Sequence, residues 1–475
     1  MRTAIFTIAW GKNLMAGIGF ELKKIYGRNT LASNLWGTLY ATMLTIGPTV
    51  LSALLMLVLN TLLSRSGLTV LEGRFFISST TYAFMTALLV TNLFATPVSR
   101  YIADCIYLGK ESEIFSSAFG VLAFTTSASG TIMALLCAGI YLQDQGRVPL
   151  SFLAAYYFLG VLVTDAYTLM NYASALKHFR TLTFSFIFGL LLSVGVYFLC
   201  SGRLGIANVT AACMALASCF LVVILALLLQ CTRAFGAPKG RYFAFLPYFR
   251  QYPTLAIGSA SYILGLYGPT LIYWFFSGAG EQVSIFHTAP SFDMAMFLAF
   301  AINIPSLVIF VVKVETAFYE KFVVYVSALN NGTLHMIQKE RSVMTRALLQ
   351  NLFFVYEVQL IITVVLVCLV SVFFPYLDAS IQMLHMFVML SLGICTVFCM
   401  YFTIVVFYYF SDYTGACISA LVFLTVTILG AAIASQSGDF YALPLPLLAG
   451  GLSGWCVSFV LLRRRMESLD SFLMC

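Results

Sequence analysis

Charged residues are scarce in this sequence of 475 residues. Asp, Glu, Lys and Arg make up 9% of the chain, whereas they form about 25% of ordinary soluble domains. A chain with 61% hydrophobic residues and so few charges cannot cover a water-facing surface, which excludes a soluble globular protein. The hydrophobic residues fall in blocks of about twenty, the helix length that crosses a hydrocarbon core of about 30 Å. The sequence therefore predicts a polytopic membrane protein.

The hydrophobic blocks lack the alternation of polar and apolar residues that a transmembrane β-barrel needs. Backbone groups inside lipid must be satisfied within the segment, so the spans are predicted to be helices. We expect an all-α fold with about 12 transmembrane helices. The predicted spans are 37–63, 75–97, 115–142, 149–170, 181–200, 205–230, 253–276, 291–312, 350–374, 384–408, 415–434 and 441–462.

Motifs of several enzyme classes are absent from the sequence. The chain contains no GxxxxGK[ST], HExxH or GxSxG motif and no closely spaced acidic pair of the Asp-x-Asp kind that holds the metal of a nucleotide sugar. The twelve cysteines form no CxxC pair and have no nearby histidine, so they are expected to be packing residues. We predict a protein that is not an enzyme and needs no cofactor or metal.

Basic residues are distributed asymmetrically between the two sides of the predicted membrane. With a cytoplasmic N-terminus, 21 of the 25 Lys and Arg residues fall in inside segments. Such an excess of basic residues on one side is typical of cytoplasmic loops, so both termini are predicted to be cytoplasmic. The net charge of +7 then reflects membrane topology, and no nucleic-acid partner is expected. The four outside exceptions are Arg65, Arg74, Arg147 and Arg203.

A short motif recurs in the first and seventh spans. Gly47-Pro48-Thr49 is repeated as Gly268-Pro269-Thr270, at an offset of 221 residues. Proline removes a backbone hydrogen bond, so Gly47, Pro48, Gly268 and Pro269 are predicted to break or kink their helices. Matched interruptions in two halves of a membrane protein point to a transport pathway.

This repeat divides the spans into two pseudo-symmetric six-helix bundles, at 37–230 and 253–462. The other segments are expected in the cytoplasm: an N-terminal segment 1–36 with an interfacial amphipathic helix, a linker 231–252 and a tail 463–475. The second bundle includes a cytoplasmic amphipathic loop, 314–349, predicted to divide at Asn330-Asn331-Gly332 into two helical stretches on the inner face. Basic residues of these segments could dock a partner protein or anionic lipid, and the candidates are Lys23, Lys24, Arg241 and Arg250.

Three acidic residues lie within or at the edge of predicted spans: Asp165, Asp293 and Glu357. A carboxylate that faces lipid costs about 3 kcal/mol, so each should face the bundle interior or a water-filled cavity. Glu357 is the leading candidate for proton coupling or substrate contact. The alternative for all three residues is a neutral, hydrogen-bonded contact between helices.

Lys and Arg are absent from the central part of every predicted span. Fixed cations are the usual partners of phosphate, which indicates a substrate with little negative charge where the pathway is narrow. Tyrosines combine an apolar ring with a hydroxyl group and suit a sugar ring. Tyr267, beside the Gly-Pro motif, and Tyr273 are therefore candidate pathway residues, with an interfacial aromatic belt as the alternative.

Two segments resemble a known family. The segment Met15–Lys24, MAGIGFELKK, together with Gly47-Pro48, resembles the opening of the Pel exopolysaccharide transporter family (PelG). The segment Thr96–Asp104, TPVSRYIAD, followed by Tyr107, is similar to the link after the second span of that family. The family begins at the equivalent of Met15, so residues 1–14 are expected to be an extension or a misassigned start.

The resemblance implies membership of the multidrug/oligosaccharidyl-lipid/polysaccharide exporter (MOP) superfamily, with two six-helix bundles around a central cavity. It further implies an inner (cytoplasmic) membrane, a cytoplasmic glycosyltransferase that makes an N-acetylhexosamine-rich polymer, and membrane subunits that respond to cyclic-di-GMP. We therefore expect an exporter that moves a nascent amino-sugar exopolysaccharide out of the cytoplasm. Two alternatives remain: a lipid-linked oligosaccharide flippase or cation-coupled drug exporter of the same superfamily, and a non-transporting membrane scaffold for the synthase.

Overall fold

Long helices account for most of the chain that the structure describes. The computed structural model describes residues 69–176, 179–238, 240–278, 280–312, 318–374 and 380–469, with a few positions between 55 and 66. The proposed start at Met15, the docking residues Lys23 and Lys24, and the first Gly47-Pro48 motif lie outside the described residues.

The first part of the described chain contains seven helices followed by a β-hairpin. The fourth helix continues into a single π-helical turn, Leu199–Arg203. The helices are α1 (Val70–Tyr107), α2 (Glu111–Gln143), α3 (Leu150–Leu176), α4 (Phe179–Phe198), α5 (Asn208–Phe235), α6 (Leu246–Gln251) and α7 (Pro253–Phe276), and the strands are β1 (Glu281–Val283) and β2 (Phe286–Thr288).

The second part contains seven further described helices. They are α8 (Pro290–Asn303), α9 (Pro305–Val312), α10 (Tyr319–Asn331), α11 (Leu334–Phe373), α12 (Ile381–Tyr409), α13 (Tyr413–Gln436) and α14 (Leu445–Glu467). In the described residues, eleven helical segments are long and apolar enough to cross a membrane. Each overlaps one of the predicted spans from 75–97 onward, which confirms the all-α, polytopic prediction. The predicted span 37–63 lies almost wholly outside the described residues.

Cα packing divides the described chain into two compact units. The N-terminal unit contains the residues up to Tyr267 and the segment Tyr273–Pro290, and the C-terminal unit contains Gly268–Ile272 and the residues from Ser291 onward. Most of α7, predicted as the first helix of the second bundle, therefore packs in the N-terminal unit. One contact that holds α7 on the N-terminal unit is the stack of the Trp274 ring on the Tyr82 ring of α1, with 4.7 Å between the ring centroids.

Helix α1 begins five residues before the predicted start of its span because of its N-terminal cap. The Thr69 hydroxyl accepts a hydrogen bond from the Glu72 backbone N–H, and the Glu72 carboxylate accepts one from the Thr69 backbone N–H. This reciprocal arrangement is a capping box, which satisfies backbone donors that the helix itself leaves unpaired.

Helix α11 is longer than predicted. The loop 314–349 was expected to form two stretches on the inner face, and the chain does divide at Gly332, between α10 and α11. The second stretch, however, continues without interruption into the ninth span. No glycine or proline occurs between Thr333, which caps the helix, and Phe373, so nothing ends the helix at the membrane surface.

The helix does not break at Gly268-Pro269, because α7 is continuous through Pro269, and the kink expected there stays a prediction. Gly265, four residues earlier, lacks the side chain that would add to the crowding around the proline ring. The interruption occurs instead in the eighth span, which was predicted as one helix. There α8 ends at Asn303 and α9 starts at Pro305.

The linker between the halves, predicted at 231–252, docks on the end of the N-terminal unit. The Tyr248 hydroxyl donates a hydrogen bond to the Asp104 carboxylate at 3.0 Å, and Phe245 is fully buried. Burial and the neighbouring Asp104 charge raise the pKa of the Tyr248 phenol, which therefore stays protonated and able to donate. At Gly120 the linker backbone approaches α2 so closely that a Cβ atom would collide with the Tyr242 carbonyl group.

Gly120→Ala should therefore displace the linker and lower stability by about 1–3 kcal/mol, the usual cost of overpacking. The matched control is Gly195→Ala in α4, where an added Cβ atom would meet open space. Thermal unfolding of the purified protein, with limited proteolysis of the linker, measures the effect. Equal melting temperatures for the two variants would contradict the docking of the linker at Gly120.

Candidate functional site

A row of polar side chains joins α2 to α3 inside the N-terminal unit. The Thr126 hydroxyl donates to the Asp165 carboxylate at 2.7 Å, and the Thr168 hydroxyl donates to the Thr125 hydroxyl at 3.2 Å. Farther along, the hydroxyl groups of Ser117 and Tyr172 share a hydrogen bond of 3.2 Å. The two helices run antiparallel, so the three pairs lie on successive stretches of one interface. We call this set the polar seam: Ser117, Thr125, Thr126, Asp165, Thr168 and Tyr172.

The polar seam is buried at one end and more open at the other. Ser117, Thr125 and Tyr172 are almost completely buried, whereas Thr126 and Asp165 are half-buried. A narrow cleft, too tight for a water molecule in this conformation, lies beside the seam. Its polar lining comes from Thr91, Thr168, Asn171 and Tyr172, and its apolar lining from Phe94, Ala95, Val98 and Val121. Hydroxyl and amide groups of this kind can bind sugar hydroxyls, and Asp165 adds one carboxylate.

A second polar group lies in the C-terminal unit, at the interruption between α8 and α9. The Asn303 side-chain oxygen accepts hydrogen bonds from the Gln359 amide group and from the Thr363 hydroxyl, the latter at 2.7 Å. The Asn303 amide group donates to the Ser391 carbonyl oxygen at 3.2 Å. Asn303, Gln359 and Thr363, which we call the amide cluster, are fully buried. The cluster joins α8, α11 and α12 without using a charge.

The predicted acidic residues are divided between the two units. Asp165 belongs to the N-terminal unit and is a member of the polar seam. Asp293 is half-buried in the first turn of α8, where a carboxylate also interacts favourably with the helix dipole. Glu357 is exposed, on the side of α11 opposite the buried residues Val355 and Gln359. These three residues therefore do not form one cluster within a unit.

The two predicted tyrosines differ in exposure. Tyr267 is half-buried in the N-terminal unit, whereas Tyr273 is fully buried. A fully buried ring cannot contact a substrate in this conformation. Tyr267 keeps enough exposed surface to do so and stays a candidate.

The basic residues predicted for docking also have different surroundings. Arg241 is exposed and forms an ion pair with Glu113 at 3.2 Å, so part of its charge serves to hold the linker on α2. Arg250 is exposed at the end of α6.

Sequence reasoning missed the amide cluster and the threonine partner of Asp165. The sequence did contain a signal for the amide cluster, since Asn303 and Pro305 lie two residues apart in a largely apolar segment. The partner of Asp165 comes from a separate helix 39 residues away, and only the packing of α2 on α3 brings it close.

The long described helices carry their basic residues near their ends, as on α1 (Arg74, Arg100), or in an extension before the span, as on α11 (Lys339–Arg346). The middle parts of these described helices therefore carry no Lys or Arg. In the described residues, no group of three or more His, Cys, Asp or Glu side chains could hold a metal ion.

A family described as "PelG: Putative exopolysaccharide Exporter (EPS-E)" matches residues 15–473. The chain belongs to this family. The match covers nearly the whole chain and confirms the resemblance seen at Met15–Lys24 and Thr96–Asp104. A search among curated proteins finds no match.

Solved structures show the fold of this PelG family member. One is a MOP superfamily transporter from Pyrococcus furiosus, whose description reports a binding pocket of reversed polarity and suggests a different function. It is 13% identical, with 96% of this chain and 97% of that chain covered and a TM-score of 0.65. An outward-facing multidrug resistance MATE family transporter is 14% identical, with 91% of this chain and 96% of that chain covered and a TM-score of 0.58. An inward-facing MATE family transporter is 13% identical, with 83% of this chain and 91% of that chain covered and a TM-score of 0.54.

At these identities the likeness establishes the fold, which is that of MOP superfamily transporters. Family and fold together make the chain a multi-pass membrane transporter and agree with the expectation that it is not an enzyme. The predicted two-bundle, all-α architecture is thereby confirmed.

The amide cluster should contribute measurably to stability. Thr363→Val removes a hydroxyl that interacts with both Asn303 and Gln359, and we expect a loss of about 1 kcal/mol. Thr427→Val is the matched control, because Thr427 is equally buried but donates within its own helix, to the Phe423 carbonyl oxygen. Thermal unfolding in detergent compares the two variants. Equal melting temperatures would show that the cluster contributes no net interhelical stabilisation.

Proposed function

We propose that this PelG family member exports a nascent amino-sugar exopolysaccharide of the Pel type across the cytoplasmic membrane. The supporting observation is the family match over residues 15–473, combined with a polar seam that offers hydroxyl groups and a carboxylate in place of cations. A polymer that moves without a pyrophosphate-linked lipid needs no fixed positive charge along its path. A lipid-linked substrate would need one.

The chemistry of the seam fits an amino sugar. Neutral hydroxyl groups of Thr125, Thr126 and Thr168 can exchange hydrogen bonds with sugar hydroxyls at little desolvation cost. Asp165 could accept a charge-assisted hydrogen bond from a free amino group or from an amide N–H of the sugar. Glu357, exposed on α11, is the second carboxylate that we place on the pathway or in proton coupling.

The partners follow from the same proposal. The polymer would arrive from a cytoplasmic glycosyltransferase, with membrane subunits that respond to cyclic-di-GMP as further members of the assembly. With both termini in the cytoplasm, the linker and Arg250 face the synthase or the anionic inner leaflet. Transport by alternating access or through a continuous conduit would both be compatible with this arrangement.

Asp165→Asn should reduce export about tenfold, because the carboxylate loses its charge while its size is kept. A deletion strain complemented with each variant is assayed with an amino-sugar lectin on intact and on lysed cells. Glu357→Gln is tested in parallel over a range of pH, where a coupling role predicts an altered pH dependence of secretion. The matched control is Asp439→Asn, a change to an exposed loop carboxylate that should stay within twofold of wild type.

The location of the polymer decides between the proposal and its alternatives. Polymer that accumulates inside deletion cells, with normal synthase levels, supports export by this chain. Wild-type secretion by Asp165→Asn and by Asp165→Leu, at normal protein levels, would contradict a role for the seam in export.

A further inference from the structure

The loop between the seventh and eighth spans folds into a β-hairpin that is fastened to the N-terminal unit. Strands β1 and β2 pair antiparallel, with Gln282 opposite His287 and Val283 opposite Phe286. The turn uses Ser284 in the left-handed region, with φ of 55°. The hairpin belongs to the N-terminal unit, and the chain enters the C-terminal unit directly after it, at Ser291.

Polar contacts attach both strands and the turn of the hairpin. Arg74 on α1 pairs with Glu281 at 2.8 Å. The Tyr82 hydroxyl donates to the His287 carbonyl oxygen at 2.9 Å and accepts from the His287 N–H at 3.1 Å. At the turn, the Ser284 hydroxyl donates to the Asp144 carboxylate at 2.8 Å, and the Gln143 amide group donates to the Ser284 carbonyl oxygen at 3.0 Å.

An aromatic anchor completes the attachment. Phe286 is fully buried, and its ring lies 5.8 Å from the Phe75 ring, 4.9 Å from the Tyr82 ring and 6.0 Å from the Tyr156 ring, centroid to centroid. Beside it, the His287 Nδ1 atom is buried without a hydrogen-bond partner. A connection between two spans does not require such a set of contacts, because a short turn would be sufficient.

Much of this attachment is reversible in character. The side chains of Arg74 and Glu281 are 55% and 46% exposed, and exposed ion pairs contribute little to stability. The other polar contacts are hydrogen bonds between exposed or half-buried groups. Release of the hairpin also exposes apolar surface, chiefly that of Phe286, together with the buried Val283 and with Ile285, which packs on the apolar core of the unit.

We propose that the hairpin is a clasp on the extracytoplasmic end of the N-terminal unit, which must detach from α1 and α2 during each transport cycle. This inference rests on the proposed export function. Its support is that the hairpin is bonded to the N-terminal unit and continuous with α8 of the C-terminal unit. MATE family transporters of this fold are described in outward-facing and inward-facing conformations, so a change of the same kind in this chain would strain the hairpin or release it.

The test is a reversible cross-link between the hairpin and α2. Asp144→Cys/Ser284→Cys places two thiols where the hydroxyl and carboxylate now meet, so that an oxidant or a short bis-thiol reagent can join them. The matched control is Gln282→Cys/His287→Cys, which joins the two strands of the hairpin without tethering it to the unit. Mass spectrometry of the linked peptides measures the yield, and the single-cysteine variants control for the native cysteines.

Secretion should fall at least tenfold when the Asp144–Ser284 link forms and recover when it is reduced, whereas the control link should leave secretion within twofold. Full cross-linking with unchanged secretion would overturn the clasp and show that the hairpin is a fixed part of the N-terminal unit. Failure of both reagents to link the pair would also overturn it, because the hairpin would then not dock on α2. The unlinked variant must first restore secretion to the deletion strain, so failure of the export function itself is seen separately.

A second measurement applies if the double variant does not restore secretion. Ser284→Cys alone is labelled in intact cells with a membrane-impermeant thiol reagent, before and after polymer synthesis is induced. Release of the clasp predicts labelling at least threefold faster during synthesis. An unchanged rate, in a variant that secretes normally, would overturn the proposal.

Discussion

The fold depends on one constraint: polar groups inside a hydrocarbon layer must find their partners within the protein. The polar seam and most of the amide cluster meet it in the same way, by pairing hydroxyl and amide groups of neighbouring helices, with the buried Gln359 side-chain oxygen as an exception. Thr126 satisfies one oxygen of Asp165, and Thr363 and Gln359 satisfy Asn303. Each pair that joins two helices also fixes their rotation about their own axes, so these polar groups help to define the packing.

The sequence was sufficient for the features that follow from composition and from distances along the chain. The positions of the described spans, the absence of central cations and the division near Gly332 required only hydropathy, charge and breaker residues. It was insufficient wherever two distant segments meet. The partner of Asp165, the docking of Tyr248 on Asp104 and the attachment of the hairpin at Tyr82 depend on tertiary packing, which hydropathy does not encode.

Helices without Lys or Arg at their centres also limit how tightly the proposed polymer would be held. Hydroxyl pairs such as Thr125–Thr168 already satisfy each other, so a sugar that replaces one partner gains little net free energy. Under the proposed export function, weak and repeated contacts would suit a polymer that moves on by one unit after each step. A row of cations would instead bind an anionic chain strongly and slow its release.

Two prolines in the middle of spans show why a helix in lipid breaks at one position and continues at another. Each proline deprives the carbonyl group four residues earlier of its N–H partner. At Pro305 the Leu307 backbone N–H donates to the Ile304 carbonyl oxygen, so the Asn303 carbonyl oxygen loses its usual helical donor, and the Ser306 hydroxyl donates to it at 2.6 Å instead. A side chain thus satisfies one carbonyl group at the interruption. Helix α7 instead continues through Pro269 and loses only the one backbone hydrogen bond that the proline cannot donate. A side chain that satisfies a freed carbonyl group thus accompanies the interruption at Pro305, and neither hydropathy nor the position of a proline alone indicates it.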